Sequence, residues 1–234
     1  MAVDDGYTVA LLHMNGSDAS TTFTDESGKT WTAAGNAQID TAQSKFGGAS
    51  GLFDGTGDYI STPDHADFAF GTGDVTIDFW AMYNSLPASG THMISYMQYT
   101  DNSNFIFCSL YNNAGTYVWY FYDAGGFGGL SFTTPAAPST STWYHIAYVR
   151  NGSNFYFFMD GTKSSSTPTS ATSASDLASS PSIAKGVAGN LWLDHNGWVD
   201  EFRISKGIAR WTANFTPPTS AYAPASVGRV IWFS

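Results

Sequence analysis

Glu26 and Glu201 are the only glutamates among nineteen acidic residues, and this bounds the chemistry open to the chain. Retaining glycoside hydrolysis needs two carboxyl groups about 5–5.5 Å apart, one as nucleophile and one as acid/base. Here one glutamate falls in a polar turn near the start and the other on a strand signal near the end. No aspartate pair stands out in their place. No G-x-S-x-G turn presents a serine nucleophile. His13, His65, His92, His145 and His195 include no i, i+4 pair of the zinc-binding kind. Cys108, the single cysteine, lies inside the apolar run Phe105–Leu110 and reads as a buried, inert thiol without a disulfide partner. No catalytic residue is predicted.

Calcium is the one cofactor the residues support, since aspartates in turn-rich surroundings can supply the oxygens that ion needs. Asp200 alternates with Phe202 and Ile204, two residues expected to face the core. A carboxylate on that face is costly unless it is paired, hydrogen-bonded or bound to a cation. The alternative is that Asp200 caps a turn or accepts backbone N–H bonds, and both readings stand.

The elements that must position these residues are strands. Aromatic residues make up 16% of the chain and fall in short runs bounded by Gly, Asn, Asp and Ser, a pattern of strands and turns. Val9–Met14 reads as a first strand, and Gly55-Thr56-Gly57 as a hairpin between Leu52–Asp54 and Asp58–Ser61. From Val75 to Tyr83 the residues alternate, with Val75, Ile77, Phe79 and Ala81 on one face and Thr76, Asp78 and Trp80 on the other. Ile94–Tyr99, Phe105–Tyr111 and Thr116–Tyr122 continue as a meander. Trp143–Arg150 and Asn154–Met159 follow, the latter closed by the Asp160-Gly161 turn. Val199–Ser205 is a late strand, Arg229–Phe233 a candidate last one, and Lys206–Trp211 at most a helical turn. Lys163–Ser182, rich in Ser, Thr and Ala, predicts a long mobile surface loop. The architecture expected is all-β, a sandwich or barrel.

Charge excludes one class of partner. The net charge is −10 and the nine basic residues are scattered, whereas a sequence-independent nucleic-acid binder needs clustered Lys and Arg. The first residues have neither the basic nor the apolar stretch of a signal peptide, which predicts synthesis in a cytoplasm. No apolar run approaches membrane-spanning length, so no membrane insertion is expected. In Thr116–Tyr122 both faces are apolar, so one must be core and the other must meet a loop, a ligand or another subunit. Subunit contact is the expectation favoured.

Several segments together resemble the laminin-G-like jelly-roll (concanavalin A-like lectin/glucanase) domains of bacteriophage structural and bacterial surface proteins. They are Leu11–Gly16 with Thr22–Lys29, Lys45–Ser50 leading to Phe53–Tyr59, and Gly73–Trp80. Trp143–Ala147, Phe158–Gly161 and Val199–Ser205 complete the set, over roughly residues 7 to 216. The resemblance implies a two-sheet antiparallel jelly-roll sandwich over residues 1–216. Residues 217–234 then form a C-terminal extension, an extra strand or assembly segment whose Val230, Ile231, Trp232 and Phe233 are too apolar for a solvated tail. It also implies a structural calcium, with Asn15 or Asp18 brought near Asp200. The E-x-D-x-x-E arrangement of the fold's glucanases is absent. Two functions follow as expectations. One is a non-enzymatic virion structural or decoration protein, a homo-oligomer or partner of other virion proteins, with adhesion to cell-surface glycans as a further expectation. The other is a stand-alone carbohydrate-binding adhesion module, extracellular after lysis.

Overall fold

The structure is a computed structural model that describes residues 6–134 and 136–223. Its elements open with β1 (Thr8–Leu12), β2 (Thr22–Thr24), β3 (Thr30–Ala34) and β4 (Gln38–Asp40). β5 (Ser50–Asp54) and β6 (Tyr59–Ser61) precede a 3₁₀ turn at Ala66–Phe68. The meander comprises β7 (Val75–Tyr83), β8 (His92–Asp101), β9 (Asn104–Asn113), β10 (Thr116–Asp123) and β11 (Gly128–Thr133). β12 (Trp143–Asn151), β13 (Asn154–Met159), β14 (Thr162–Lys163) and β15 (Ser182–Ile183) follow. β16 (Trp192–Leu193) and β17 (Asn196–Lys206) close the order.

Two sheets face each other. The first runs β14-β13-β12-β7-β17-β5-β4, with β1 also paired to β17; the second runs β11-β10-β9-β8-β15-β6-β3-β2, with β16 parallel to the start of β8. All other pairs are antiparallel, and one hydrophobic core fills the space between the sheets. The all-β jelly-roll sandwich expected from the sequence is what the chain forms. β7 shows why its pattern was readable: Val75, Ile77, Phe79 and Ala81 enter the core, as alternation requires. Its other face is buried as well, because the chain beyond β17 folds back over the first sheet. There Ala209, Trp211 and Phe215 pack on Ala147, Val149 and Phe158. Asp160 and Gly161, at φ 49° and 72°, form the expected two-residue turn between β13 and β14.

Four local expectations are corrected. Gly55-Thr56-Gly57 is not a hairpin, because β5 pairs with β4 and β17 while β6 pairs with β3 and β15, so this segment crosses between the sheets. The Asp58 carboxylate fixes the crossing by accepting N–H bonds from Asn36 and Asp54. Lys206–Trp211 contains no helical turn; the 3₁₀ turn lies at Ala66–Phe68. Lys163–Ser182 is not a free loop. Thr169 bridges to Asn154, Arg150 donates to Thr172 O, Ser175 donates twice to Asp123, and Ala174 and Leu177 enter the core. Small side chains let this segment lie close against the sandwich edge.

The fourth correction concerns Asp200. The strict alternation that would place it beside Phe202 and Ile204 is broken by a bulge, where Glu201 adopts φ 51° and the β17–β7 register shifts between Asp200 and Arg203. Val199, Phe202 and Ile204 are core, whereas Asp200 lies on the outer face opposite Trp80. The bulge falls where β17 changes its other neighbour, from β5 to β1. The covering layer continues past residue 216 to Tyr222, which is buried. The expected strand at Arg229–Phe233 and the rest of the 217–234 extension from residue 224 onward lie outside the described residues.

Candidate functional site

The second sheet turns an aromatic face outward. On β9, Ile106, Cys108 and Leu110 enter the core, which leaves Phe105 and Phe107 on the other side. On β10, Trp119 and Phe121 are core, while Tyr120 and Tyr122 join the outer cluster. Antiparallel register then sets Tyr122 opposite Phe107, Tyr120 opposite Ser109 and Tyr111 opposite His92. β11 places Gly129 opposite Tyr122. A Cβ there would meet the Tyr122 ring at 2.7 Å, so the missing side chain makes room for that ring. The segment after β15 returns over the same face. Val187 bridges to Trp192, and the Trp192 ring lies 4.5 Å from Phe105 and 5.4 Å from Phe107, centroid to centroid.

What remains is a groove of about 370 Å³ between Tyr111, Tyr120 and Tyr122 on one side and Leu191 and Trp192 on the other. His92, Phe105 and Phe107 form its floor, and among the described residues no Asp, Glu, Lys or Arg lines it. His92 Nδ1 lies 2.9 Å from Ser109 Oγ, and its ring stacks 4.4 Å from that of Tyr111. Burial holds its pKa down to about 4, so the imidazole is neutral at neutral pH. The hydroxyls of Tyr111, Tyr120 and Tyr122 have no hydrogen-bond partner among the described residues. Aromatic faces beside uncommitted hydroxyls suit a ligand that is apolar on its faces and polar at its edges. The doubly apolar strand of β10 was legible in the sequence; its outer face is partly covered by a loop, the 187–193 segment. Trp192 and His92 were missed. Leu191-Trp192-Leu193 was a short apolar signal, but where it docks depends on non-local packing.

The outer face of the first sheet holds a buried polar network. Asp78 accepts two bonds from the Arg203 guanidinium, at 3.0 and 2.9 Å, and one from the Tyr222 hydroxyl. His145 Nε2 is 3.1 Å from the same hydroxyl. Burial alone would raise the Asp78 pKa, but Arg203 and His145 hold it well below the usual carboxylate range. Both Glu201 oxygens are committed, one to His13 Nδ1 at 2.8 Å and the other to the Tyr222 N–H at 2.7 Å. Glu26 is exposed. This network clamps the covering segment through Tyr222.

Of the residues expected around calcium, Asp200 and Asn15 meet at the 45–47 segment and Asp18 stands apart. Asp200 Oδ2 accepts the N–H groups of Lys45 and Phe46, at 2.7 and 3.0 Å, while Oδ1 is buried with no hydrogen-bond partner among the described residues. Asn15 reaches the same segment: a Cβ on Gly47, at φ 67°, would lie 2.2 Å from Asn15 Oδ1. Asp18 does not join them, since its carboxylate accepts from the N–H and hydroxyl of Thr41. Among the described residues no group of three or more His, Cys, Asp or Glu gathers to hold a metal. A calcium ion at Asp200 would therefore draw most of its oxygens from backbone carbonyls and water.

These groups give stability a pH dependence. Burial raises the Asp200 pKa from 3.8 to about 7, against the N–H bonds from Phe46 and Lys45. The His13 pKa is raised by its hydrogen bond to Glu201. For a raised pKa the favourable contribution is full below the unfolded value and is lost as pH rises through the folded one. Asp78, depressed, contributes above its ordinary value of 3.8 and loses that only in strong acid. The melting temperature without added metal is therefore expected to fall between about pH 5 and about pH 8. Asp200→Asn should flatten that fall, and an unchanged slope in the variant would remove Asp200 as its source.

The sequence profile of the concanavalin A-like lectin/glucanases superfamily matches residues 54–210. No curated protein sequence matches the chain. Among solved structures, domain 4 of AbnA, a GH43 extracellular arabinanase from Geobacillus stearothermophilus, in complex with arabinotriose, is similar at 16% identity and TM-score 0.64, over 86% of this chain and 93% of that one. The binding domain of Paraclostridial Mosquitocidal Protein 1 gives 18% identity and TM-score 0.63 over 87% and 50%. The binding domain of Botulinum Neurotoxin DC in complex with SialylT gives 15% and 0.60 over 88% and 49%. The chain spans about half the length of these two binding domains.

Proposed function

The chain belongs to the concanavalin A-like lectin/glucanase superfamily, and from that premise we propose that it is a non-catalytic, lectin-like domain that lays a glycan on the aromatic groove of its second sheet. The observation that carries this reading is the set of partly exposed tyrosine and tryptophan rings bordering a groove with uncommitted hydroxyls. Sugar C–H faces pack on such rings, while the hydroxyls meet the polar edge. Support also comes from the similar structures: two are binding domains, one of these in complex with SialylT, and the arabinanase domain is in complex with arabinotriose. Glu201 is consumed by the clamp, which favours a non-enzymatic role. A glycan array on the domain, repeated with Trp192→Ala, tests the reading; signal lost in the variant supports it. If the groove variant instead changes the oligomeric state and no glycan is retained, the groove is a subunit contact and the reading falls.

Two narrower proposals accompany it. The first is a role as a virion component, oligomeric or joined to other virion proteins, which rests on the sequence resemblance and the apolar Val230–Phe233. Deletion after Ala225 keeps Tyr222 in its clamp, so the product should stay folded by circular dichroism. It should also become monomeric or fail to join its particle, and an unchanged oligomer would count against assembly through this segment. The second is a structural calcium held by Asp200 Oδ1 with Asn15, and without Asp18. Chelator should lower the melting temperature and calcium restore it, by selective binding to the native state. No response to chelator, or an equal response in Asp200→Asn, would exclude this site.

A further inference from the structure

We infer that the groove on the second sheet takes uncharged glycans and rejects those bearing carboxylates, such as sialosides and uronates. This rests on the glycan reading and narrows it. No described lysine or arginine lines the groove, so a ligand carboxylate entering it finds no cation to pair with. Among the described residues His92 is the one titratable cation former in it; it stands on Ser109 and against the rings of Tyr111, Tyr120 and Phe107, and no described acidic group lines the groove to draw a proton onto it. Aromatic ring faces carry the negative end of their quadrupole, so they repel an anion and welcome polarised C–H groups. A carboxylate desolvated there without a partner is strongly penalised. The chain adds a net charge of −10, which disfavours the approach of an acidic glycan at low salt. The polar groups available, tyrosine hydroxyls and the His92–Ser109 pair, are those that recognise neutral hydroxyls.

The experiment is calorimetric titration with matched probes, lactose against 3′-sialyllactose and arabinotriose against trigalacturonic acid. A broad array of neutral and acidic glycans is run in parallel. The expected result is that any pair that binds shows the neutral member at least about tenfold tighter. Its affinity should be nearly constant from roughly 50 to 500 mM salt. Leu191 is 64% exposed at the groove wall, so Leu191→Arg should fold normally. It should narrow the neutral-over-acidic preference by about fivefold, by supplying the missing cation. Acidic glycans bound as tightly as neutral ones, with that binding lost in Trp192→Ala, would overturn the inference and leave the glycan reading standing. No glycan of either kind bound would overturn both.

Discussion

Asp78→Ala is expected to destabilise the domain by about 3–5 kcal/mol, since removing one member of a buried ion pair leaves the other charge uncompensated. Asp78 is fully buried at the centre of β7 and holds Arg203 through both guanidinium bonds. It also anchors the Tyr222 hydroxyl, so the loss reaches the segment that covers His145 and Phe158. Denaturant unfolding of four proteins separates the effects: wild type, Asp78→Ala, Arg203→Met, and the double change Asp78→Leu with Arg203→Met. The double variant should recover much of the loss, because an apolar pair of similar volume removes the buried charges together. Tyr222→Phe should cost less, about 1.5–3 kcal/mol, the net worth of a hydrogen bond to a charged group, here the Asp78 carboxylate. A loss below about 1 kcal/mol for Asp78→Ala would mean that the network does not clamp the cover.

That network also shows where sequence reading stops. Alternation along Val75–Ala81 reports directly which residues face the core, because side chains on a strand have period two. The same rule misplaced Asp200, since the bulge rests on a glutamate at φ 51°, a conformation that no residue type in Val199–Ser205 announces. Glu201 is held there by His13 and the Tyr222 N–H, partners distant in sequence. Gly55-Thr56-Gly57 has the residues of a tight turn, and it does turn. Whether its flanks pair with each other or with different sheets is decided by β17 and β15, far along the chain. Half of the groove was legible, because Tyr120 and Tyr122 lie opposite the core residues of their own strand. The other half, Trp192, reaches it only through docking of a segment onto β8.

Adjacent substitutions on β10 are expected to fail in opposite ways. Trp119 is fully buried between the sheets and stacks 4.8 Å from Phe157, so Trp119→Ala opens a large cavity. It should cost about 3–5 kcal/mol, the usual penalty for truncating a buried aromatic residue. Glycan binding by the fraction that remains folded should persist, because Trp119 does not line the groove. Tyr120 is the next residue and points the other way, with its ring 5.3 Å from His92 and 5.8 Å from Tyr111. Tyr120→Ala removes one wall of the groove but fills no core position, so its stability cost should stay near 1 kcal/mol. Its glycan affinity should fall at least about thirtyfold, the loss that follows when a central aromatic contact is truncated. Tyr120→Phe keeps the ring and loses only the hydroxyl, so it should retain most of the stacking and lose a few-fold in affinity. Melting curves and titrations on the three variants read both faces at once. If Trp119→Ala and Tyr120→Ala lost stability and binding in the same proportion, the two faces of the sheet would not be independent. The groove would then be a by-product of core packing and not a site.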